Sequence, residues 1–291
     1  MNNIAFLTTI YPINELYITE FFESLINQTI INFDVIIVND GYADFDKLKK
    51  TYHSLHIIEL PGIGCIAKNR EALIKHALFC GYHTAIFGDI DDYFDRQRVE
   101  VVELLLKNND IVINDLTAFN QQKLTHEHIF SSRIDNLAEI PSDLIIDRNI
   151  FGLSNTAIKL QEMTAKDISF PSKLIAVDWY FFSNLLLNNK KAIFTNDTIT
   201  YYRQHDSNTA GIGTINASTI LKAIKVKLIH YHLMIAKDEK YQLLYDQTKQ
   251  LALWLENEKN LTEYVRVNVK HIHSPFWWET MKLGNICELN L

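Results

Sequence analysis

Thr84-Ala85-Ile86-Phe87-Gly88-Asp89-Ile90-Asp91-Asp92 is a short apolar run followed by three carboxylates within four residues. The apolar part predicts a buried strand, so the carboxylates emerge at its carboxyl end. In open α/β sheets that edge binds ligands. Oxygen-only clusters suit hard cations such as Mg²⁺ or Mn²⁺, which are often shared with substrate phosphates. The alternative is an acidic surface turn that opens the next helix, where Asp is also favoured.

Strand-like and helix-like segments alternate around this stretch. The strand-like runs lie at 4–9, 33–38, 56–60 and 84–87, and the helical patterns between them lie at 14–28 and 67–80. This alternation predicts an α/β fold in which a mostly parallel sheet is flanked by helices. Two later helical patterns, at 217–234 and 238–257, predict an α-helical C-terminal extension over 216–291.

Composition excludes several classes of protein. The chain has 291 residues, 47% of them apolar, and a formal net charge of −7 without a long basic block, so nucleic acid is not an expected partner. Cys65, Cys80 and Cys287 form no C-x-x-C pair, which favours a reducing compartment. The chain opens without a secretory pattern and contains no run long enough to span a bilayer. We therefore expect a soluble cytoplasmic protein.

Two polar segments follow predicted strands in the first half. Asp40 ends the second strand, where its carboxylate can accept the imide N–H of uracil or thymine, although Asn-Asp-Gly is also a good turn without a ligand. Lys68-Asn69-Arg70 stands near a predicted helix start, just after Gly62-Ile63-Gly64. Its polar groups can reach a diphosphate or an acidic neighbour, or they form a solvated first turn.

Two further candidates lie in the second half. Asp178 is flanked by apolar and aromatic residues and is either a helix cap or a functional carboxylate such as a general base. His205 lies in a polar loop after a strand-like run. One interpretation is an ordinary surface histidine. The other is a metal ligand, which requires a metal ion that the carboxylates at 89–92 could hold.

The order of these motifs resembles the nucleotide-binding half of family 2 glycosyltransferases with the GT-A fold. The resemblance rests on 8–11, 33–41, 67–70 and 88–92, and the segments at 177–179 and 202–209 look like the acceptor-side base and the loop histidine of that family. It covers roughly 3–213. It implies a GT-A domain over 1–215, with a nucleotide-binding half (1–92) and an acceptor half (93–215), ahead of the helical extension.

The resemblance also implies individual roles. Asp40 would hold the pyrimidine base and Asp89 would approach the ribose, while Lys68 and Asn69 would support the acidic turn. The implied nucleotide-site residues are Thr8, Thr9, Tyr11, Asp40, Lys68, Asn69 and Asp89.

The remaining implied roles concern the metal ion and the acceptor. Asp91, helped by Asp92, would hold Mg²⁺ or Mn²⁺ at the donor diphosphate, and His205 would close on the metal or the diphosphate. Asp178 would deprotonate the acceptor hydroxyl. The chain departs from the family pattern at Val177, where a second acid is common, and at Lys68, where Arg is common.

The expected activity is inverting transfer of a sugar from a UDP- or dTDP-sugar to a carbohydrate or lipid-linked acceptor, in bacterial polysaccharide or glycoconjugate synthesis. One alternative is a sugar-1-phosphate nucleotidyltransferase, which would need a glycine-rich basic loop where this chain has Thr9-Ile10-Tyr11-Pro12-Ile13-Asn14. Another is a non-catalytic nucleotide-binding protein of the same fold. The aromatic segment Phe276-Trp277-Trp278 could make a peripheral contact with the inner face of the membrane. Alternatively, its rings pack on the protein itself or at a homodimer contact, and we favour this second interpretation.

Overall fold

The computed structural model describes residues 2–120, 123–161, 163–205, 212, 215–271 and 276–281. The chain forms two compact units. The first consists of Met1–Pro141, Ile150–Ser172 and Asn188–Arg203, and the second of Ser142–Asn149, Lys173–Leu187 and Gln204–Leu291. The segment that carries Asp178 therefore belongs to the same unit as the C-terminal helices.

The first unit is built on one mixed sheet. Its strands are β1 (Ile4–Ile10), β2 (Asp34–Asn39), β3 (His56–Pro61), β4 (Thr84–Phe87), β5 (Tyr93–Phe94), β6 (Ile111–Asn120), β7 (Lys123–His126), β8 (Thr156–Lys159) and β9 (Ala192–Arg203). They are ordered β3-β2-β1-β4-β8-β6-β9-β5, with β7 paired to β6. The strands β3, β2, β1 and β4 are parallel, as predicted, whereas β8 runs antiparallel between β4 and β6. The predicted α/β class is confirmed.

Four helices pack with this sheet in the first unit. They are α1 (Glu15–Ile26), α2 (Phe45–Thr51), α3 (Ile66–Phe79) and α4 (Arg98–Leu106). The predicted apolar stripe of α1 is buried, since Ile18, Phe21, Phe22 and Leu25 are all at most 3% exposed. Phe21 meets Phe6 of β1 edge-to-face, with ring centroids 5.8 Å apart. The apolar face therefore fixes α1 against the strands that end at the candidate site.

The second unit is helical. It contains α5 (Val177–Leu187), α6 (Ala217–Met234), α7 (Lys240–Trp254) and α8 (Glu258–His271), with short 3-10 turns at Ser142–Ile145 and Trp277–Glu279. Trp179, Tyr231 and Tyr241 form the centre of one of its cores. None of the helices in the described parts of the chain combines the length and the apolar character needed to cross a bilayer.

The aromatic segment at 276–278 packs within this unit. Phe276 and Trp278 are buried and stack on each other, with ring centroids 4.3 Å apart. A membrane-interface contact needs exposed aromatic rings. Two of the three rings are therefore part of a core, and we do not propose membrane binding through them.

Candidate functional site

The acidic segment forms a turn at the carboxyl end of β4. After Phe87, residues 88–92 turn tightly, and the N–H of Asp92 donates to the carbonyl of Asp89 at 3.1 Å. The chain then enters β5 directly, and α4 begins only at Arg98. The turn does not open a helix, so that alternative for the acidic segment is wrong.

Gly88 allows the turn to lie directly on the core. A Cβ at this position would be 2.6 Å from ring atoms of both Phe6 and Phe94. Both rings are buried, and neither has room to move away without disturbing its neighbours. A side chain at position 88 would therefore push the acidic turn out of place.

Asp92 braces the turn from inside the protein. It is completely buried, and its two carboxylate oxygens accept hydrogen bonds from the hydroxyl of Ser154 and from the N–H of Arg203, the latter at 2.8 Å. Burial raises the pKa of Asp92 well above its ordinary value, and the nearby carboxylates of Asp91 and Asp89 add to the rise. The structure thus gives Asp92 an internal, bracing position.

Arg203, the last residue of β9, holds the same turn. Its Nε donates to the carbonyl of Asp91 at 2.7 Å, and its guanidinium pairs with Glu20 of α1. The guanidinium carbon lies 4.1 Å from the ring centroid of Tyr17 and 4.4 Å from that of Phe119. These contacts connect β9, α1 and the acidic turn.

A second buried arginine lies beneath the turn. Arg98 donates to the carbonyl of Phe87 at 2.7 Å and to the side chain of Asn114 at 3.0 Å. Burial lowers the pKa of Arg98 to about 9, against the attraction of Asp92 and Asp89. Its positive charge therefore offsets part of the negative charge of the turn from the protein side.

Arg70 is the cation at the partly exposed side of the turn. It forms an ion pair with Asp89, whose side chain is 32% exposed. The other terminal nitrogen of Arg70 is buried and has no hydrogen-bond partner among the described residues. The sequence prediction placed this support on Lys68 and Asn69. In the structure Arg70, two positions further along α3, makes this contact.

Lys68 and Asn69 have other contacts. Lys68 pairs with Glu71 at 2.7 Å, and Lys75 reaches the same carboxylate at 2.6 Å. Although burial opposes it, these hydrogen bonds lower the pKa of Glu71 to about 2. The side-chain oxygen of Asn69 accepts the N–H of Ile63 at 2.9 Å, and its amide nitrogen is buried without a partner among the described residues. Asn69 thus braces the glycine-containing loop before α3.

Asp40 lies where β1, β2 and the end of β3 come together. Its N–H donates to the carbonyl of Ile10 at 2.7 Å. A Cβ on Gly62 would be 2.7 Å from the carbonyl oxygen of Asn39 and 2.8 Å from Oδ1 of Asp40. The absence of a side chain at Gly62 therefore lets the loop after β3 approach the Asp40 carboxylate.

The end of β1 contributes three polar side chains. The hydroxyls of Thr8 and Thr9 are buried and lack hydrogen-bond partners within the described residues. Burial raises the pKa of Tyr11, and the carboxylates of Asp91 and Asp89 add to the rise, so its phenol lies close to the acidic turn. The carboxyl edge of the sheet thus brings Tyr11, Asp89 and Asp91 together.

Asp178 and His205 belong to the second unit. Asp178 lies in the first turn of α5, and its Oδ1 accepts the N–H of Trp179 at 2.8 Å. His205 follows the end of β9 by two residues and is partly buried. The residues 206–211 beside it lie outside the described part of the chain.

The carboxylates of the turn have the chemistry of a divalent cation site. Among the described residues, no three His, Cys, Asp or Glu side chains form a cluster that could hold a metal ion. Mg²⁺, however, is usually held by one or two carboxylates together with substrate phosphates. Asp91 lies in the turn beside the Asp89–Arg70 ion pair, and the second terminal nitrogen of Arg70 has no hydrogen-bond partner among the described residues, so these groups fit a site shared with a phosphate.

The sequence belongs to a known protein family. The model of glycosyl transferase family 2 matches residues 10–154, a range that holds both Asp40 and the acidic turn. The chain is a member of this family and, accordingly, a glycosyltransferase. A search of the curated proteins found no match.

Solved structures show the same fold. TarS 1–349 from S. aureus is similar with a TM-score of 0.61 and 19% identity, over 91% of this chain and 73% of that one. In its complex with UDP-GlcNAc the TM-score is 0.62 at 18% identity, over 86% and 71% of the two chains. The mannosyltransferase PcManGT from Pyrobaculum calidifontis, in complex with GDP-Man and Mn²⁺, gives 0.55 at 11% identity, over 81% and 64%. The predicted GT-A fold is confirmed.

Proposed function

We propose that this glycosyltransferase moves a sugar from a UDP- or dTDP-sugar to a hydroxyl of a carbohydrate or lipid-linked acceptor, with inversion at the anomeric carbon. The observation that carries the proposal is a group of buried polar atoms at this edge of the sheet that have no hydrogen-bond partner among the described residues. They belong to Thr8, Thr9, Asn69 and Arg70. Leaving such atoms without partners costs about 1–3 kcal/mol each, and a polar ligand at this edge would remove that cost.

The donor nucleotide would occupy the carboxyl edge of β1 and β2. Asp40 accepts the imide N–H of the pyrimidine, Thr8, Thr9 and Tyr11 line the pocket, and Asp89 approaches the ribose. The ligands of the similar structures, UDP-GlcNAc and GDP-Man, support a nucleotide-sugar donor.

Arg70 is our candidate for the diphosphate contact. Lys68 is engaged with Glu71, whereas Arg70 has a buried nitrogen without a partner among the described residues. A guanidinium can also bind phosphate oxygens through two parallel hydrogen bonds. Lys68 then acts indirectly, by fixing the start of α3.

A divalent cation, Mg²⁺ or Mn²⁺, would be held by Asp91 together with the donor diphosphate. Asp92 supports Asp91 from inside the turn, because both oxygens of Asp92 already accept protein hydrogen bonds. When bound, the cation would offset negative charge on the departing diphosphate. His205 approaches the diphosphate or the cation. The Mn²⁺ in the PcManGT complex supports this assignment.

On the acceptor side, Asp178 takes the proton of the attacking hydroxyl. In-line attack by the hydroxyl oxygen forms the new glycosidic bond as the bond to the departing diphosphate breaks, and this inverts the configuration of the anomeric carbon. We place the reaction in bacterial cell-surface polysaccharide or glycoconjugate synthesis, on the cytoplasmic side.

Calorimetry of UDP, dTDP and GDP, each with and without Mn²⁺, tests this function. We expect a pyrimidine nucleotide to bind, and Mn²⁺ to strengthen the binding by roughly tenfold or more, about 1.4 kcal/mol. Asp91→Ala should abolish the effect of Mn²⁺, whereas Asp46→Ala, on a side chain that is 89% exposed, should keep it. Arg70→Gln should weaken UDP binding more than Lys68→Gln does.

Three results would contradict the proposal at separate points. If no nucleotide binds, the donor site is wrong. If Mn²⁺ has no effect on the wild-type protein, the cation is wrong. If Lys68→Gln weakens binding as much as Arg70→Gln, the diphosphate assignment is wrong.

A further inference from the structure

The C-terminal helices surround the residue that follows the candidate base. Trp179 is completely buried, and its indole N–H donates to the carbonyl of Ile145 at 2.7 Å. Its backbone N–H donates to Oδ1 of Asp178 at 2.8 Å. This hydrogen bond ties the Asp178 carboxylate to the backbone of Trp179.

His230 of α6 lies flat on this indole. The two ring centroids are 3.6 Å apart and the planes are inclined by 3°. Trp277 and Tyr231 meet the same indole edge-on, with centroids at 5.6 and 5.7 Å. Three rings from the region after residue 216 thus enclose Trp179.

Burying the polar ring of His230 has a free-energy cost that a purely structural position would not require. It is 1% exposed, and neither ring nitrogen has a hydrogen-bond partner among the described residues. Burial lowers the pKa of His230 well below its ordinary value, and the charge of Lys227 adds to the effect, so the ring is neutral. Among the ring contacts of His230, the stack on Trp179 is the closest, ahead of the edge-on contacts with Tyr241 and Tyr231.

We propose that His230 is a positioning residue that holds Asp178 through Trp179, and that the C-terminal helices serve to fix the first turn of α5. The path runs from the His230 ring to the Trp179 indole, and from the Trp179 backbone N–H to the Asp178 carboxylate. The proposal rests on the proposed role of Asp178 as the general base.

Hydrogen exchange of the full-length protein tests the structural half. His230→Ala removes the stacked ring, His230→Phe restores a flat ring, and His232→Ala is the control because His232 is exposed on the same helix. We expect amides of 177–187 to exchange roughly tenfold faster or more in His230→Ala, and at wild-type rates in the other two variants. Wild-type exchange in His230→Ala would overturn the proposal.

Steady-state kinetics test the functional half, with release of nucleoside diphosphate from a panel of UDP-, dTDP- and GDP-sugars as the readout. A misplaced base should lower kcat by roughly 10- to 100-fold, with the KM for the donor and the Kd for UDP unchanged, and His230→Phe should recover the rate. Unchanged kcat in His230→Ala would overturn the positioning role.

A double variant separates this proposal from the proposed function. If His230 acts through Asp178, then His230→Ala combined with Asp178→Asn should be no slower than Asp178→Asn alone. Additive losses would overturn the path through Asp178. Full turnover in Asp178→Asn would instead refute the base assignment, while the exchange result would still report on α5.

Discussion

Lys227 allows a quantitative prediction about the stability of the second unit. Its side chain lies in the core beside His230, and it is 3% exposed. Burial lowers the pKa of Lys227 from its ordinary 10.5 to about 8, although Asp147 attracts the charge. The charged form is therefore disfavoured in the folded state. A pKa change of this size corresponds to about 3 kcal/mol at 1.36 kcal/mol per pH unit.

The sign of the pH dependence follows from the two pKa values. Below pH 8 the lysine is charged in both the folded and the unfolded chain, so the folded state carries the whole penalty. As the pH rises from 8 to 10.5, the penalty disappears. Lys227→Met removes the charge and keeps the apolar stem. We expect it to raise the free energy of unfolding by about 3 kcal/mol at pH 7 and by about 1 kcal/mol at pH 10.

Urea denaturation followed by tryptophan fluorescence measures this effect selectively. All four tryptophans, Trp179, Trp254, Trp277 and Trp278, belong to the second unit. Lys225→Met, on an exposed side chain of the same helix, is the matched control and should change stability by less than about 0.5 kcal/mol. If Lys227→Met gains nothing at pH 7, or gains the same at both pH values, the argument from the buried charge is refuted.

Two further predictions concern the base and the acidic turn. Asp178→Asn should lower the turnover of sugar transfer by ~10²–10⁴-fold and leave UDP binding in calorimetry within about twofold; near-normal turnover would rule out a general base at this position. Gly88→Ala should destabilise the first unit by about 1–3 kcal/mol in urea denaturation, because its Cβ would be 2.6 Å from ring atoms of Phe6 and Phe94. An unchanged denaturation midpoint would mean that the two rings can move aside without a loss of stability.

Local signals in the sequence were sufficient for the strands β1 to β4 and for the edge of the sheet where the candidate site lies. The apolar runs before Asp40 and Asp89 are short and end in turn residues, so both the strands and the positions of these carboxylates could be predicted. The helix α8 was not predicted, although Leu261, Tyr264 and Val265 have helical spacing and pack in the core of the second unit. These three apolar residues are few among the polar residues of α8, so the helical pattern was not recognised.

The parts that could not be predicted depend on contacts between distant residues. Arg203 supports the acidic turn from a position 111 residues after Asp92. In the sequence, Arg98 is indistinguishable from a solvent-exposed residue at the start of a helix. In the structure it is completely buried beneath the acidic turn. Whether Lys68 or Arg70 meets Asp89 depends on the rotation of α3 about its axis, which the apolar pattern of a short helix fixes only coarsely.

The acidic turn and Asp178, the proposed base, are held by two separate networks. Ser154, Arg203 and Arg98 fix the turn within the first unit, whereas Trp179 and His230 are placed in the second unit. A site that is rigid before its ligand arrives loses less entropy on binding and stabilises developing charge better. If the two networks are independent, substitutions at the turn should change nucleotide affinity and those around Trp179 should change turnover. Their effects on the free energies of binding and of activation should then be additive. The function of the residues in each network can therefore be tested separately, because a substitution can weaken one network while the other stays intact.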